Sequence, residues 1–217
     1  MYNPSHFTTT DTAALHALIR QHPLGMLVSH SPDGLDANHL PFELLVNAEG
    51  TTTLIAHVAR ANPVWQQLQS APTVMAVFRA EDGYLSPNWY PAKHENHRQV
   101  PTWNYRVVHV HGQITVHEDE KWLRGVVGRL TRTHEARTQA GAPQAHGPWK
   151  LSDAPPDYLQ QMLGAIVGLE LQVTRLEGKF KLSQNRTPTD RLGAADGVAA
   201  LGHSDLAAQM RAAGPQA

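Results

Sequence analysis

Two lysines, an arginine, a serine and two amides fall within the nine residues Gly178-Lys179-Phe180-Lys181-Leu182-Ser183-Gln184-Asn185-Arg186. Long cationic donors beside short polar side chains can hold an anionic or hydrogen-bond-rich ligand, because bonds from a charged donor are the stronger kind. A solvated turn would explain Gly178-Lys179-Phe180-Lys181 alone. It does not require Ser183, Gln184 and Asn185. The stretch follows an alternating apolar run, Ile166 to Leu176, and precedes Thr187-Pro188, a helix-start signal. It is therefore expected at the exit of a core strand.

Four other groupings could do chemistry. Arg60-Ala61-Asn62-Pro63 reads as a helix start with Asn62 as cap and Pro63 in the first turn. A helix N-terminus welcomes phosphate, and Arg60 could add a bidentate contact. An ordinary helix start remains the simpler account. His109 and His111 share one face of a strand and could share a metal. With no matching carboxylate in the local pattern, histidines bonded to backbone or water are the simpler account. The stretch Tyr84 to Tyr105 holds Pro87, Pro91 and Pro101 among Tyr84, Trp89, Tyr90, Trp103 and Tyr105. It reads as a long aromatic loop. Flat rings next to Asn104 could cover a planar heterocycle, or plug a dimer interface. The C-terminal helix pair outlines a helix-turn-helix, yet carries little positive charge for phosphates. Ser-x-x-Lys, Gly-x-Ser-x-Gly and His-Glu-x-x-His are absent, so hydrolysis is not the leading class.

The chain has 217 residues, 41% of them hydrophobic, enough for one large domain and a core. Lys+Arg 18 against Asp+Glu 19 gives a net charge of -1, so no long-range field draws nucleic acid or anionic lipid. DNA as a partner is possible but unsupported by charge. The chain lacks cysteine, which excludes thiolate chemistry and fits a cytoplasmic protein. No signal pattern opens the chain and no apolar run approaches a membrane span.

The elements that must position these groups follow from periodicity. Asp11 or Thr10 caps a helix bearing Leu15, Leu18 and Ile19. Leu24 to His30 and Leu35 to Val46 form a hairpin about Ser31-Pro32-Asp33-Gly34, with a break near Asn38-His39-Leu40-Pro41. Thr51 to Val58 is a third strand and Thr73 to Arg79 a fourth, ended by a turn at Asp82-Gly83. Val107 to His117 alternates as a strand. Asp119 caps a long helix carrying Trp122, Val126, Val127 and Leu130. Arg137 to Pro148 reads as a loop. A helix after Pro155 carries Tyr158, Met162 and Leu163, and Gly164 to Leu176 holds the last strand. Two helices split near Gly202-His203-Ser204 close the chain. Six or seven strands with close hairpins predict a mainly β, antiparallel barrel with peripheral helices. Two regions are expected: residues 1–186 as the barrel and 187–217 as a helical extension packed on it or on a dimer partner.

Several stretches together resemble a known family. They are Met1 to Phe7, Leu27 to His30 with Asp33 to Pro41, His57 to Pro63, Gly83 to Tyr90, Val100 to Tyr105, and Gly178 to Arg186. In this order they resemble the PaiB family, described as FMN-binding negative transcriptional regulators. The resemblance implies an antiparallel split β-barrel of the FMN-binding type, and a homodimer with FMN at the subunit interface. It implies cofactor contacts from Asn38, His39 and Leu40 along the flavin ring, and from Arg60 and Asn62 at the phosphate. Trp103 and Asn104 would come from the partner-facing loop, and Lys181, Gln184 and Arg186 from the late polar motif. A flavin-dependent oxidoreductase using a nicotinamide donor is the alternative activity. Haem, held by one of the 14 histidines, is a third possibility.

Overall fold

The structure is a computed structural model and describes residues 1–142 and 146–214. A 3-10 turn (Ser5–Phe7) leads into β1 (Thr8–Thr9), α1 (Thr12–Gln21), β2 (Leu24–Ser31), β3 (Gly34–Pro41), β4 (Glu43–Val46) and β5 (Thr52–Ala59). Next come α2 (Val64–Ser70), β6 (Thr73–Leu85), α3 (Lys93–Asn96), β7 (Thr102–His117) and α4 (Glu120–Gly141). The chain ends with α5 (Pro156–Gly164), β8 (Ile166–Lys181), α6 (Pro188–Ala200) and α7 (Ser204–Ala212). The strands follow the order β3-β2-β6-β7-β8-β5-β4, with β1 added to β8. Five strand pairs, among them β2–β3, β4–β5 and β5–β8, run antiparallel.

The chain forms two compact units: Met1–His22, Phe78–His109 and Leu176–Ala217 make the first, and Pro23–Val77 with Val110–Arg175 the second. In the second unit, β2 and β3 pair from Leu24↔Pro41 to Ser31↔Gly34. That register leaves Pro32 and Asp33 as the turn, and Gly34 takes φ 115°, a conformation only glycine adopts freely. The expected break falls at Phe42, whose N–H donates to Pro23 O at 2.9 Å. The chain then changes partner, and β4 pairs with β5. Asp119 caps α4 by accepting from Trp122 N, and Leu123, Val126 and Leu130 are its buried face. The residues expected as a loop from Arg137 instead continue α4 to Gly141, and residues 143–145 lie outside the described residues. On α5 the buried pair is Leu159 and Leu163. Tyr158 and Met162, expected to pack, are 52% and 39% exposed.

The first unit departs more from expectation. β6 runs through Asp82-Gly83, which reads locally as a turn. Gly83 keeps an ordinary backbone there. A Cβ on it would sit 3.0 Å from Leu206 Cδ2, so its glycine makes room for α7. The aromatic stretch is not one loop. Tyr84 and Leu85 finish β6, Pro87–Trp89 form a 3-10 turn, Lys93–Asn96 form α3, and β7 starts at Thr102. Trp89 lies across α6: a Cβ added to Gly197 would stand 2.2 Å from its ring, and one added to Gly193 would stand 2.4 Å from its carbonyl oxygen. Glycines four apart share one helix face, which gives the ring a flat seat. Leu85, Tyr90, Leu182, Ala194, Val198, Leu206 and Met210 form the core of this unit.

Candidate functional site

The polar cluster is half strand and half turn. β8 continues through Lys179-Phe180-Lys181, so Lys179 and Lys181 project to one side and Phe180 to the other. Ser183 then takes φ 66°, and Arg186 N donates to Ser183 O at 3.0 Å, which closes the turn. Gln184 serves that turn: its Oε1 accepts from Leu182 N at 2.8 Å, and its Nε2 donates to Phe180 O at 2.6 Å. Its amide is spent on local backbone.

Lys181 donates to Thr102 Oγ1 and to Trp103 O, so it bridges β8 and the start of β7. Lys179 donates to Tyr2 O at 3.1 Å and lies 5.6 Å from the ring centroid of Tyr105. Arg186 donates to Gln99 Oε1 at 2.7 Å and sits 5.3 Å over the ring of Tyr90. Among the described residues none of these three cations bonds a carboxylate. Burial first, then Lys179 and Arg186, push the Lys181 ammonium down to about 8. Three cations repelling one another without a counter-charge favour any anion that enters.

Flat rings flank them. Trp103 is 53% exposed and meets Tyr84 edge to face at 6.0 Å. On the opposite face of β7, Asn104 is fully buried and its Nδ2 donates to Ser183 Oγ at 2.9 Å. The Asn104 Oδ1 is buried with no hydrogen-bond partner among the described residues, and the Tyr90 hydroxyl is buried with only Ser183 beside it. Such orphans are uncommon in packed cores. Burial, with Asp190 behind it, holds the Tyr90 phenol above its ordinary value despite Arg186 and Ser183. The donor set fits an anionic, hydrogen-bonding, planar ligand such as a flavin mononucleotide.

The remaining expected contacts belong to the second unit. Asn62 Nδ2 donates to Asn38 Oδ1 at 2.8 Å, and Asn62 Oδ1 accepts from Val64 N at 3.0 Å. His39 is exposed and Leu40 is buried. Arg60 is held three ways: Nε to Gly164 O at 2.9 Å, Nη1 to Glu118 Oε2 at 2.6 Å, and Nη2 to Ile166 O at 3.2 Å. Its guanidinium pins the end of β5 to the α5–β8 junction. We expect Arg60→Ala to cost about 2 kcal/mol of stability, measured by urea unfolding without ligand; an unchanged midpoint would free Arg60 for a ligand role.

Thr102, Gln99 and Tyr90 also join the first-unit cluster, and the sequence reading did not single them out for it. The signal was available for Thr102. The alternation of Val108 and Val110 runs upstream through Arg106 and Asn104, which places the strand start near Thr102.

Comparison with known proteins bears on what this arrangement is. A family model described as "Putative FMN-binding domain" matches residues 1–175. An uncharacterized Aspergillus fumigatus protein is 31% identical over 240 residues, covering 93% of this chain and 92% of its own length. The Bacillus subtilis protein named protease synthase and sporulation protein PAI 2 is 28% identical, over 88% of this chain and 85% of its own. Among solved structures, a conserved hypothetical protein from Mycobacterium tuberculosis superposes with TM-score 0.57 at 13% identity, covering 86% of this chain and 94% of its own. An FAD and heme binding protein from Mycobacterium smegmatis superposes with TM-score 0.55 at 16% identity, covering 80% and 73%. These likenesses carry the fold, and the expected antiparallel split β-barrel with peripheral helices holds. From the extent of the family match and the likeness to the Bacillus relative, this chain is a member of the FMN-binding domain family, of the PaiB type.

Proposed function

We propose that the protein binds FMN, acts as a PaiB-type negative regulator, and works as a cytoplasmic homodimer with the flavin at the subunit interface. The observation that carries the flavin reading is the group of three cations without a carboxylate: Lys179, Lys181 and Arg186. A phosphate monoester, dianionic near neutral pH, supplies the missing charge. Trp103 and Tyr84, both about half-exposed, offer flat surface to a ring or to a partner protomer. Asn104 is the further first-unit contact proposed; Asn38, His39, Leu40, Arg60, Asn62 and Gln184 stay proposed contacts on the family resemblance alone, and Arg60 and Gln184 would first have to leave their present protein partners. When bound, a flavin supplies the electron chemistry, and the protein supplies orientation and charge. The net charge of -1 disfavours unaided DNA binding. Regulation then acts through a partner or through small-molecule metabolism.

Proton linkage tests the cation group. Lys181 titrates at about 8 in the folded chain against an ordinary 10.5. Between those values the native state holds fewer protons, so the contribution of Lys181 to stability rises with pH. Anion binding runs the other way, because a bound phosphate favours the charged lysine. FMN affinity, read from flavin fluorescence, is expected to be full between about 6, where the phosphate monoester takes up a proton, and about 8, and to fall by up to about tenfold per pH unit above that. Lys181→Met should flatten that profile. A pH-independent affinity in the parent protein would place the phosphate elsewhere.

The alternative, a nicotinamide-dependent oxidoreductase, is separated by anaerobic mixing with NADPH. Faster bleaching of bound than of free FMN assigns the enzyme. No bleaching, with a salt-sensitive shift of duplex DNA, assigns the regulator.

A further inference from the structure

Arg106 stands on the buried face of β7, opposite Trp103 and Tyr105. It is 8% exposed, yet its guanidinium makes no hydrogen bond or ion pair among the described residues, and its Nε is buried and unpartnered. Its Cζ lies 5.6 Å from the centroid of the Phe180 ring. An arginine buried without an acceptor is costly, because five donors are removed from water. The guanidinium lines a polar hollow of about 310 Å³. Around the hollow stand Gln21 at the end of α1 and His22 just after it, Glu81 on β6, and Asp205 and Gln209 on α7. Glu81 and Asp205 are exposed, so the carboxylates hold the rim and the guanidinium the depth. Neither forms an ion pair with Arg106 among the described residues, though both act on its charge across the hollow they line together. Glu81 Oε2 accepts from Leu206 N at 3.2 Å and is thereby fixed at the rim. The side-chain amides of Gln21 and Gln209 have no protein partner among the described residues.

We propose that this hollow binds a compact zwitterion of the α-amino-acid class, its carboxylate on Arg106 and its ammonium between Glu81 and Asp205. A guanidinium takes a carboxylate through two parallel bonds, which a bare anion would also use. The two rim carboxylates repel a bare anion, and the deep guanidinium repels a bare cation. Only a ligand carrying both charges satisfies both ends. Burial, then Arg106, holds the His22 imidazole below its ordinary value, with Glu81 and Asp205 opposing. A neutral His22 can donate or accept toward the ligand. Such a site gives the protein a small-molecule input independent of the flavin.

The test is calorimetric titration of the full-length protein, without added FMN, with each proteinogenic L-amino acid, with acetate and with n-butylamine. At least one amino acid is expected to saturate with Kd on the order of 1 mM or tighter. Acetate and n-butylamine should bind at least about tenfold more weakly. Arg106→Met should abolish binding. Because that residue is buried, the exposed-rim variant Asp205→Asn provides the second reading and should weaken binding about tenfold. Absence of saturation by every amino acid overturns the proposal. So does acetate binding as tightly as the best amino acid, or unchanged affinity in Asp205→Asn.

Discussion

The double variant Lys181→Met, Arg186→Met is expected to bind FMN at least about 100-fold more weakly than the parent, from two charged contacts of roughly 1.5–3 kcal/mol each. Both side chains come from the end of β8 and the turn after it, and each is already oriented by a neutral acceptor. Little ordering remains to be done when an anion arrives. A structural role predicts a different outcome. Were these cations holding the fold, their removal would lower stability without ligand. Here removal relieves mutual repulsion and the cost of holding half-buried charge, which offsets the loss of the part-buried bonds to Thr102 and Gln99. Ligand-free stability should therefore change by no more than about 1 kcal/mol. Fluorescence titration and urea unfolding on the same preparation separate the two. Normal FMN affinity in a folded double variant would sink the proposed site.

Gly112→Ala carries the largest expected loss of stability. Gly112 lies in the middle of β7 in the second unit, where a Cβ would stand 2.1 Å from Gln172 O and 2.9 Å from Gln172 C. Both are backbone atoms of β8, so no side-chain rotation relieves the contact. Overpacking in a core costs about 1–3 kcal/mol when side chains can yield; against backbone the upper end or beyond is expected, roughly 3 kcal/mol or more. Its midpoint in urea should fall well below that of Gly125→Ala, where no atom lies within 4 Å of the added Cβ. Equal midpoints would mean that the strands separate here at little cost.

The elements most legible in the sequence were those whose cause is local. Asp11 and Asp119 cap α1 and α4 because a short carboxylate reaches a free N–H within the same turn. Pro32 and Gly34 set the first hairpin through their own backbone preferences. The elements misread were those decided by distant neighbours. Asp82-Gly83 carries a turn signature, but α7 packs against Gly83 and the strand continues. The aromatic stretch looked like one loop because three prolines interrupt it; tertiary packing divided its rings. Trp89 and Tyr90 went to the core of the first unit, while Tyr84 and Trp103 stayed at the surface.

For the candidate site the division is similar. Residue order alone was enough to mark Gly178 to Arg186 as a cationic stretch at a strand exit, because alternation and side-chain charge need no partner to be read. It was also enough to identify the family through motifs spread along the chain. The sequence could not say which donors are free. Gln184 and Arg60 look as available as Lys181 on paper; in the fold Gln184 is bound to its own turn and Arg60 to Gly164, Glu118 and Ile166. Arg106 reads as an ordinary basic residue until the strand turns it inward, away from any acceptor. Charge and spacing are properties of the chain, whereas hydrogen-bond satisfaction depends on which distant groups folding brings within reach.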